Sequence, residues 1–386
     1  MAAPAAARAG LVTAPPLTTF AVMPAEAADE PEIAALLRDA AFPGDVRVSL
    51  EREPSPLAAS TIEGDTHQVI VARDRSTGRV AGIAARSVRD VYVNGRVARV
   101  GYLGQLRIDR ACRRLRALLD AGFDYCRLLH DQDDAAFYLS SIVAGNDAAH
   151  RLLAERRSRS APAFVRIDAL RTFAIGVEPP LRFRVPGVHL EQGDESLLGA
   201  IAECLDRNLR RYQLAPRWTV TDLQSDRTRG LAPEHFVVAL SGSRIIGCAA
   251  RWDQRAFKQV VVRGYSRRLA RWRPIVNRFG ARFGVPPLPA VGTAMPFGYL
   301  SHIAVDEDRE DVFAALVAEQ CRRASAAGLS YVVAAFVGRH PFFTAIARQW
   351  RHRAYDSVLY IAAWSAADAI VRSLDGRILQ PEVAVL

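Results

Sequence analysis

Apolar residues in this chain alternate between two spacings. Stretches with every second position apolar predict strands at Thr18–Met23, Val69–Arg73, Arg79–Arg86, 98–108, Phe137–Val143 and Phe164–Ile175. Between them, apolar residues recur every three or four positions. That spacing predicts helices over Ala27–Ala41 (Ile33, Leu36, Leu37) and Arg113–Leu129 (Leu115, Leu118, Leu119, Phe123), and a short one over Asn146–Arg156, where Asn146 suits an N-cap. Asp74-Arg-Ser-Thr-Gly78 and Asn94-Gly95 are turn chemistry, so the strands on either side of each are read as hairpins. Val177-Glu-Pro-Pro180 reads as a linker, and after it the order resumes. A strand at Arg182–Glu191 leads to a helix at Glu195–Tyr212 carrying Leu197, Ile201, Leu205 and Leu209. A hairpin follows from Phe236–Leu240 and Arg244–Arg251, then a strand at 298–305 and a helix at 310–327. The series closes with Tyr331–Val337, a short helix at 341–350 and Ser357–Trp364.

The two series share residues as well as order. Gly101-Tyr-Leu-Gly-Gln-Leu-Arg-Ile-Asp109 returns as Gly298-Tyr-Leu-Ser-His-Ile-Ala-Val-Asp306, an offset of 197 residues. Upstream, His67-Gln-Val-Ile-Val-Ala and Val-Ala-Gly-Ile-Ala-Ala-Arg86 are echoed by His235-Phe-Val-Val-Ala-Leu and Ile-Ile-Gly-Cys-Ala-Ala-Arg251. One fold, duplicated, accounts for both. The copies differ between the hairpin glycine and the repeat glycine: Gly82 to Gly101 spans 19 residues, Gly247 to Gly298 spans 51. The second copy therefore carries an insertion, about 253–296. The expected division is an arm at 1–17, domains at 18–176 and 182–365 joined by 177–181, and a tail at 366–386.

Composition narrows the class. With 50% hydrophobic and 24% charged residues the 386-residue chain reads as a soluble globular protein of two ordinary domains. No apolar run approaches the ~18–20 residues of a membrane span. The Ala- and Pro-rich start lacks the basic opening and compact apolar block of a secretory signal. Five scattered cysteines without a Cys-x-x-Cys pair point to a reducing, cytoplasmic setting, and the eight histidines show no ligand spacing, so no metal is expected. The net charge of +10 is carried by arginine, since Lys258 is the only lysine. Those arginines are spread among acids rather than gathered in one basic run, so no nucleic-acid partner is expected. A charged cofactor or a membrane surface would use the same excess.

Strand, helix, hairpin, long central strand, helix, strand, helix, strand, read twice, resembles a tandem member of the GNAT superfamily of acyl-CoA-dependent N-acyltransferases. The resemblance implies an α/β fold of two GNAT-like domains, each a mostly antiparallel mixed sheet flanked by helices. It implies acetyl-CoA or another acyl-CoA as co-substrate, and a primary amine on a small molecule or a protein as acceptor. In that family the central strand pairs with the pantetheine arm, and the following turn and helix start hold the pyrophosphate, because free N–H groups face the anion there. Carried over, those parts are Leu106, Arg107 and Ile108, then Arg110, Arg113 and Arg114, and the helix opening at Leu115. Gly145-Asn146-Asp-Ala-Ala149 resembles the family's Asn-started helix beside the thiol.

Two departures from the family pattern matter. Its glycine-rich pyrophosphate turn is here Arg110-Ala-Cys-Arg-Arg-Leu115, without glycine, so arginine side chains would have to take the phosphates. The second copy reads Asp306-Glu-Asp-Arg-Glu-Asp311, five carboxylates where an anion would sit, which places the site in the first copy. The family's leaving-group tyrosine is replaced by Leu153. Tyr138 and, as a base, His302 are the weak catalytic candidates; each also reads as a packed strand residue, and catalysis stays unassigned. A catalytically degenerate binding or scaffolding protein on the same fold remains the rival from another class.

The insertion has its own pattern. Leu269, Trp272, Val276, Phe279 and Phe283 form a helical stripe interleaved with Arg267, Arg268, Arg271, Arg273, Arg278 and Arg282. The favoured expectation is a helix that packs its stripe on the domain and solvates its arginines. The other is a peripheral membrane contact through 264–285, serving a membrane-associated long-chain acyltransferase. Pro274 should kink such a helix.

Overall fold

The computed structural model describes residues 19–386 apart from Pro43, 156–159 and 284–285. The expected arm at 1–17, and part of the short helix expected at Asn146–Arg156, lie outside the described residues. The strands are β1 (Phe20–Pro24), β2 (Val46–Glu51), β3 (Thr66–Asp74), β4 (Val80–Val93), β5 (Arg96–Ile108), β6 (Tyr138–Val143) and β7 (Ala163–Gly176), then β8 (His189–Gln192), β9 (Phe236–Ser241), β10 (Arg244–Trp252), β11 (Gln259–Tyr265), β12 (Phe297–Val305), β13 (Tyr331–Val337) and β14 (His352–Ala363). Twelve of them form one mixed sheet in the order β1-β3-β4-β5-β6-β14-β7-β13-β12-β10-β9-β8. The α/β mixed sheet flanked by helices is as the sequence pattern implies.

The order is a palindrome of the repeat, with one twist. β14 lies beside β6 and β7 beside β13, so the last strand of each series completes the other series' half. β7 and β14 then pair with each other over their length, from His352↔Ile175 to Ala363↔Ala163. Phe173 and Ile175 of β7 consequently pack in a core of the second half, and Leu359 and Ile361 of β14 in one with Val100 and Leu139 of the first. Only two neighbouring pairs in the sheet are parallel, β5 with β6 and β12 with β13.

Local chemistry explains the elements. Asn94 and Gly95 both take positive φ (52° and 76°), the two-residue turn that an Asn-Gly hairpin prefers. The helix Leu115–His130 buries Leu118, Ala121 and Tyr125 against Phe20, Val22 and Ile70. Its counterpart Glu310–Ala326 buries Val312, Phe313 and Leu316, with the Phe313 ring stacked 4.0 Å from that of Phe342. Gly82 and Gly247 let these helices come close: a Cβ on either would sit 3.1–3.2 Å from Leu118, or from Val312 and Leu316. Burying one such large apolar side chain contributes roughly 1.5–3 kcal/mol.

Three expectations change. The opening strand of the second series is only His189–Gln192, because Pro186 and Gly187 hold the preceding stretch in irregular backbone. The segment expected as a tail is core: Leu379, Ala384 and Val385 are buried, and a helix at Ala367–Ser373 precedes them. The insertion supplies β11, which pairs with β2 of the first half in a separate two-stranded sheet, tied by Arg263 to Glu51.

Candidate functional site

The repeated nonapeptides become the two central strands, and both are broken at the same place. β4 against β5 slips register between Ile83 and Ala85, opposite Arg107 and Gly104. β10 against β12 slips between Cys248 and Ala250, opposite Ala304 and Ser301. Inside each bulge a non-glycine residue takes positive φ: Gln105 (56°) and His302 (51°), again 197 apart. A left-handed residue inside a strand costs on the order of 1–3 kcal/mol, and such strain concentrates at functional sites.

Beyond the bulges the parallel partners part. β6 follows β5 only at Gly101↔Tyr138 and Tyr102↔Leu139, after which β5 runs on to Ile108 without a strand on that edge. Gly101 is what allows the contact, since a Cβ there would lie 2.1 Å from the Tyr138 ring. β13 likewise follows β12 only from Phe297↔Tyr331 to Tyr299↔Val333.

The two openings differ in what lies within them. In the second half the C-terminal segment enters: Glu382 accepts the backbone N–H of His302 at 3.0 Å, and Gln380 donates to the Ile303 carbonyl at 3.3 Å. Every residue of β12 is buried. In the first half, Tyr102 through Ile108 remain half-exposed. Where β5 and β6 part, a small cleft is lined by Arg89, Gly101, Tyr102, Leu139, Glu382 and Leu386, among others.

Arg89 and Glu382 line the cleft, and Arg89 is bonded in turn to the buried Glu63. Glu63 accepts the Gln105 amide at 3.1 Å and the Arg52 guanidinium, which fixes the bulge. Arg89 donates to the carbonyls of Glu63 and Ile62 (2.8 and 2.6 Å), while its Nη1 is buried without a partner. Burial, reinforced by Arg227, pushes the Arg89 pKa down to about 9. Burial likewise pulls Lys258 down to about 7; its ammonium donates to the carbonyls of Ala384 and Leu386 at 3.2 Å. Burial raises the Glu382 carboxyl to about 7 and the Tyr102 hydroxyl to about 12.

The site residues expected from sequence fall in three groups. Leu106, Arg107 and Ile108 lie on the length of β5 that β4 flanks and β6 does not; the Arg107 guanidinium donates to the Leu106 carbonyl, lies over the Phe42 ring and is pushed down in pKa by burial. Arg110, Arg113 and Arg114 sit exposed on the turn before Leu115, which opens its helix without any side-chain cap. Of these, Arg110 reaches the Asp39 carbonyl and Arg114 the Thr19 hydroxyl. Asn146 caps the helix at Asp147–His150, which continues as a π-helical stretch over Arg151–Glu155, and accepts from the Ala149 N–H at 3.2 Å. The catalytic candidates stand apart. Tyr138 is buried, and its hydroxyl accepts two bonds from Arg86 at 2.9 and 2.7 Å. His302 is sealed among Trp218, Phe236 and Trp252, which lowers its pKa to about 3 and keeps it neutral.

The acidic turn of the second half is internally neutralised. Asp306 accepts from Arg207, Asn208 and Arg244, and Asp308 from Arg211 and Tyr212. Among the described residues no cluster suits a metal ion. Arg89, Glu63, Lys258 and Glu382 were missed by the sequence reading; the one signal available was Lys258, solitary in an arginine-rich chain.

A bulged central strand parting from a parallel neighbour, with a helix opening beyond it, defines the GCN5-related N-acetyltransferase (GNAT) fold, here twice in one sheet. Solved structures agree. A GCN5-related N-acetyltransferase from Sphaerobacter thermophilus matches with TM-score 0.53 at 13% identity, over 90% of this chain and 97% of its own. The Saccharomyces cerevisiae N-myristoyltransferase with bound myristoyl-CoA matches with TM-score 0.57 at 12% identity, over 91% and 80%. At such identities the likeness is one of fold. No protein-family model matches the chain, and no curated protein matches it in sequence.

Proposed function

We propose that the chain is an acyl-CoA-dependent N-acyltransferase with its site in the first half. The observation that carries this reading is the unpaired, half-exposed edge of β5 beside a cleft, against a second-half edge covered by the chain's own C-terminal segment. Acyl-CoA would lie along Leu106–Ile108, its pantetheine amides taking the place of a strand partner, and its pyrophosphate over the uncapped helix start at Leu115. Arg110, Arg113 and Arg114 would supply charge-assisted bonds where glycines are absent.

The amine nitrogen attacks the thioester carbonyl, a C–N bond forms and the C–S bond breaks. Backbone N–H groups of the bulged strand suit the oxyanion, since strain has already turned them from the β4 ladder. The attacking amine loses one proton, and the departing thiolate takes one up. Glu382 lines the cleft with an affinity for protons near neutrality, which suits it to receive the first. Both acetyl- and long-chain acyl-CoA are compatible donors, since the solved structures of this fold include an N-acetyltransferase and an N-myristoyltransferase with bound myristoyl-CoA.

The test is release of free coenzyme A thiol from acetyl-CoA and from myristoyl-CoA, with and without a panel of amines. Amine-dependent release, lost in Glu382→Gln, supports the reading, and the faster donor fixes the acyl class. Binding of both donors with no amine-dependent release would make the protein a scaffold instead.

A further inference from the structure

The inserted segment between β10 and β12 folds as β11 followed by a helix, Arg267–Phe279, and this helix contradicts the favoured expectation for its stripe. Leu269 and Val276 turn inward and are half-buried, and Arg273 and Asn277 bond the Leu288 carbonyl at 3.1 and 3.0 Å. Trp272, Ile275 and Phe279 turn outward, 52%, 49% and 42% exposed. Pro274 lies inside the helix and is exposed. The side chain of Phe283 lies outside the described residues.

At about 100° per residue the three outward side chains fall within about 60° of one another, one continuous apolar strip rather than scattered contacts. Among the described residues nine large hydrophobic side chains are exposed, and four of them belong to this insertion, Val291 being the fourth. A fifth, Leu50, stands on β2 opposite Val260 of β11. Monomer surfaces scatter such residues singly; here they gather on one lobe.

The charge around the strip has one sign. From Gln254 to Val305 the sequence holds no aspartate or glutamate, yet it holds eight arginines and Lys258. Arg267, Arg268, Arg271, Arg278 and Arg282 have no carboxylate partner among the described residues, whereas arginines elsewhere in the fold are repeatedly paired. Two of the five, Arg278 and Arg282, lie over the Phe279 ring at 5.7 and 5.9 Å, joining the basic flank to the apolar strip.

We propose that this lobe is a docking surface for an anionic lipid bilayer, on which the helix lies flat with Trp272, Ile275 and Phe279 at the acyl boundary and the arginines among the headgroups. Charge complementarity selects an anionic partner. The strip then selects a lipid one, because a nucleic-acid backbone would leave an isoleucine, a tryptophan and a phenylalanine against phosphate with nothing to bury them. No helix of the described residues is long and apolar enough to cross a membrane, so attachment is peripheral. The inference is independent of acyl transfer, as it uses none of the residues placed at the cleft.

Co-sedimentation of the full chain with phosphatidylcholine vesicles, with and without phosphatidylserine, tests it. The wild-type chain should partition onto the phosphatidylserine vesicles only, and added salt should release it. The variant Arg267→Gln/Arg268→Gln/Arg271→Gln should weaken partition about a hundredfold, at about fivefold per arginine. Trp272→Ser/Ile275→Ser/Phe279→Ser should weaken it at least about tenfold. These side chains are exposed, so thermal melting should be unchanged in both variants. Absence of wild-type binding to phosphatidylserine vesicles overturns the proposal, as does binding that neither variant weakens. Tight binding to polyuridylate that the serine variant retains, without vesicle binding, would hand the surface to nucleic acid.

Discussion

β5 and β12 are the same strand twice, and they have been put to different uses. Both carry the bulge, the left-handed residue and the parting of a parallel neighbour, all of which follow from local register. The difference is set by what arrives from far away in sequence. β12 receives Glu382 and Gln380 on its bulge, and its helix is preceded by carboxylates locked in ion pairs with Arg207 and Arg211. At β5 the bulge is buttressed by Glu63 on Gln105, the same C-terminal segment lines the cleft beside Tyr102 without bonding the bulge, and the helix is preceded by exposed arginines. The bulge geometry is thus common to both halves, while at β12 the C-terminal segment bonds the bulge and at β5 it does not.

The comparison breaks most readily at the arginine turn. Arg113→Glu with Arg114→Glu should abolish acyl-CoA affinity, a loss of about a thousandfold from two charge-assisted contacts turned repulsive, with little change in melting temperature. Asp306→Asn, at the equivalent place in the second half, should leave affinity unchanged and lower the melting temperature instead, since it releases Arg207 and Arg244. Calorimetry and thermal melting on the same samples separate the two outcomes.

Glu382 joins the halves, bonding the β12 bulge while lining the β5 cleft. Glu382→Gln keeps an acceptor for the His302 N–H but removes the base, so kcat should fall about a hundredfold with KM for the donor nearly unchanged. In the wild type, kcat/KM should rise with pH through about 7, as the carboxyl ionises. Stability should move the other way. The carboxyl is raised from 4.5 to about 7 by burial, so the folded state keeps a proton the unfolded chain has lost. This group's contribution therefore declines as pH climbs from about 4.5 to about 7, by at most about 3 kcal/mol, and the decline should be absent in Glu382→Gln. Urea titrations of both proteins at matched pH values measure the difference.

The smallest effect contrasts the repeat glycines. Gly101→Ala drives a Cβ against the Tyr138 ring and should destabilise by about 2 kcal/mol, whereas Gly298→Ala meets nothing nearer than 3.2 Å, the flexible end of Leu329, and should cost under about 1 kcal/mol.

Much of this was legible in the sequence because its causes are local. Tyr331–Val337 forms the strand its alternation predicts, Asn94-Gly95 forms its hairpin, and the shared nonapeptide marks both central strands. The crossing of β7 and β14 was not legible, because either strand's apolar pattern fits either half equally well. The role of the C-terminal segment was not legible for a related reason. Ile378, Leu379, Val383 and Val385 are too few and too irregular to declare an element, and they become core only against Leu214 and β12. The outward turn of Trp272 escaped because a helical stripe tells which residues share a face, not what that face meets.

The central claim is that one half binds acyl-CoA and the other does not. Calorimetric titration of the purified chain with acetyl-CoA, and with myristoyl-CoA below its micelle-forming concentration, tests it by stoichiometry. The account predicts one site per chain for the preferred donor, lost in Arg113→Glu/Arg114→Glu and retained in Asp306→Asn. Two sites per chain, or one site that survives the arginine exchange and disappears with Asp306→Asn, would contradict it.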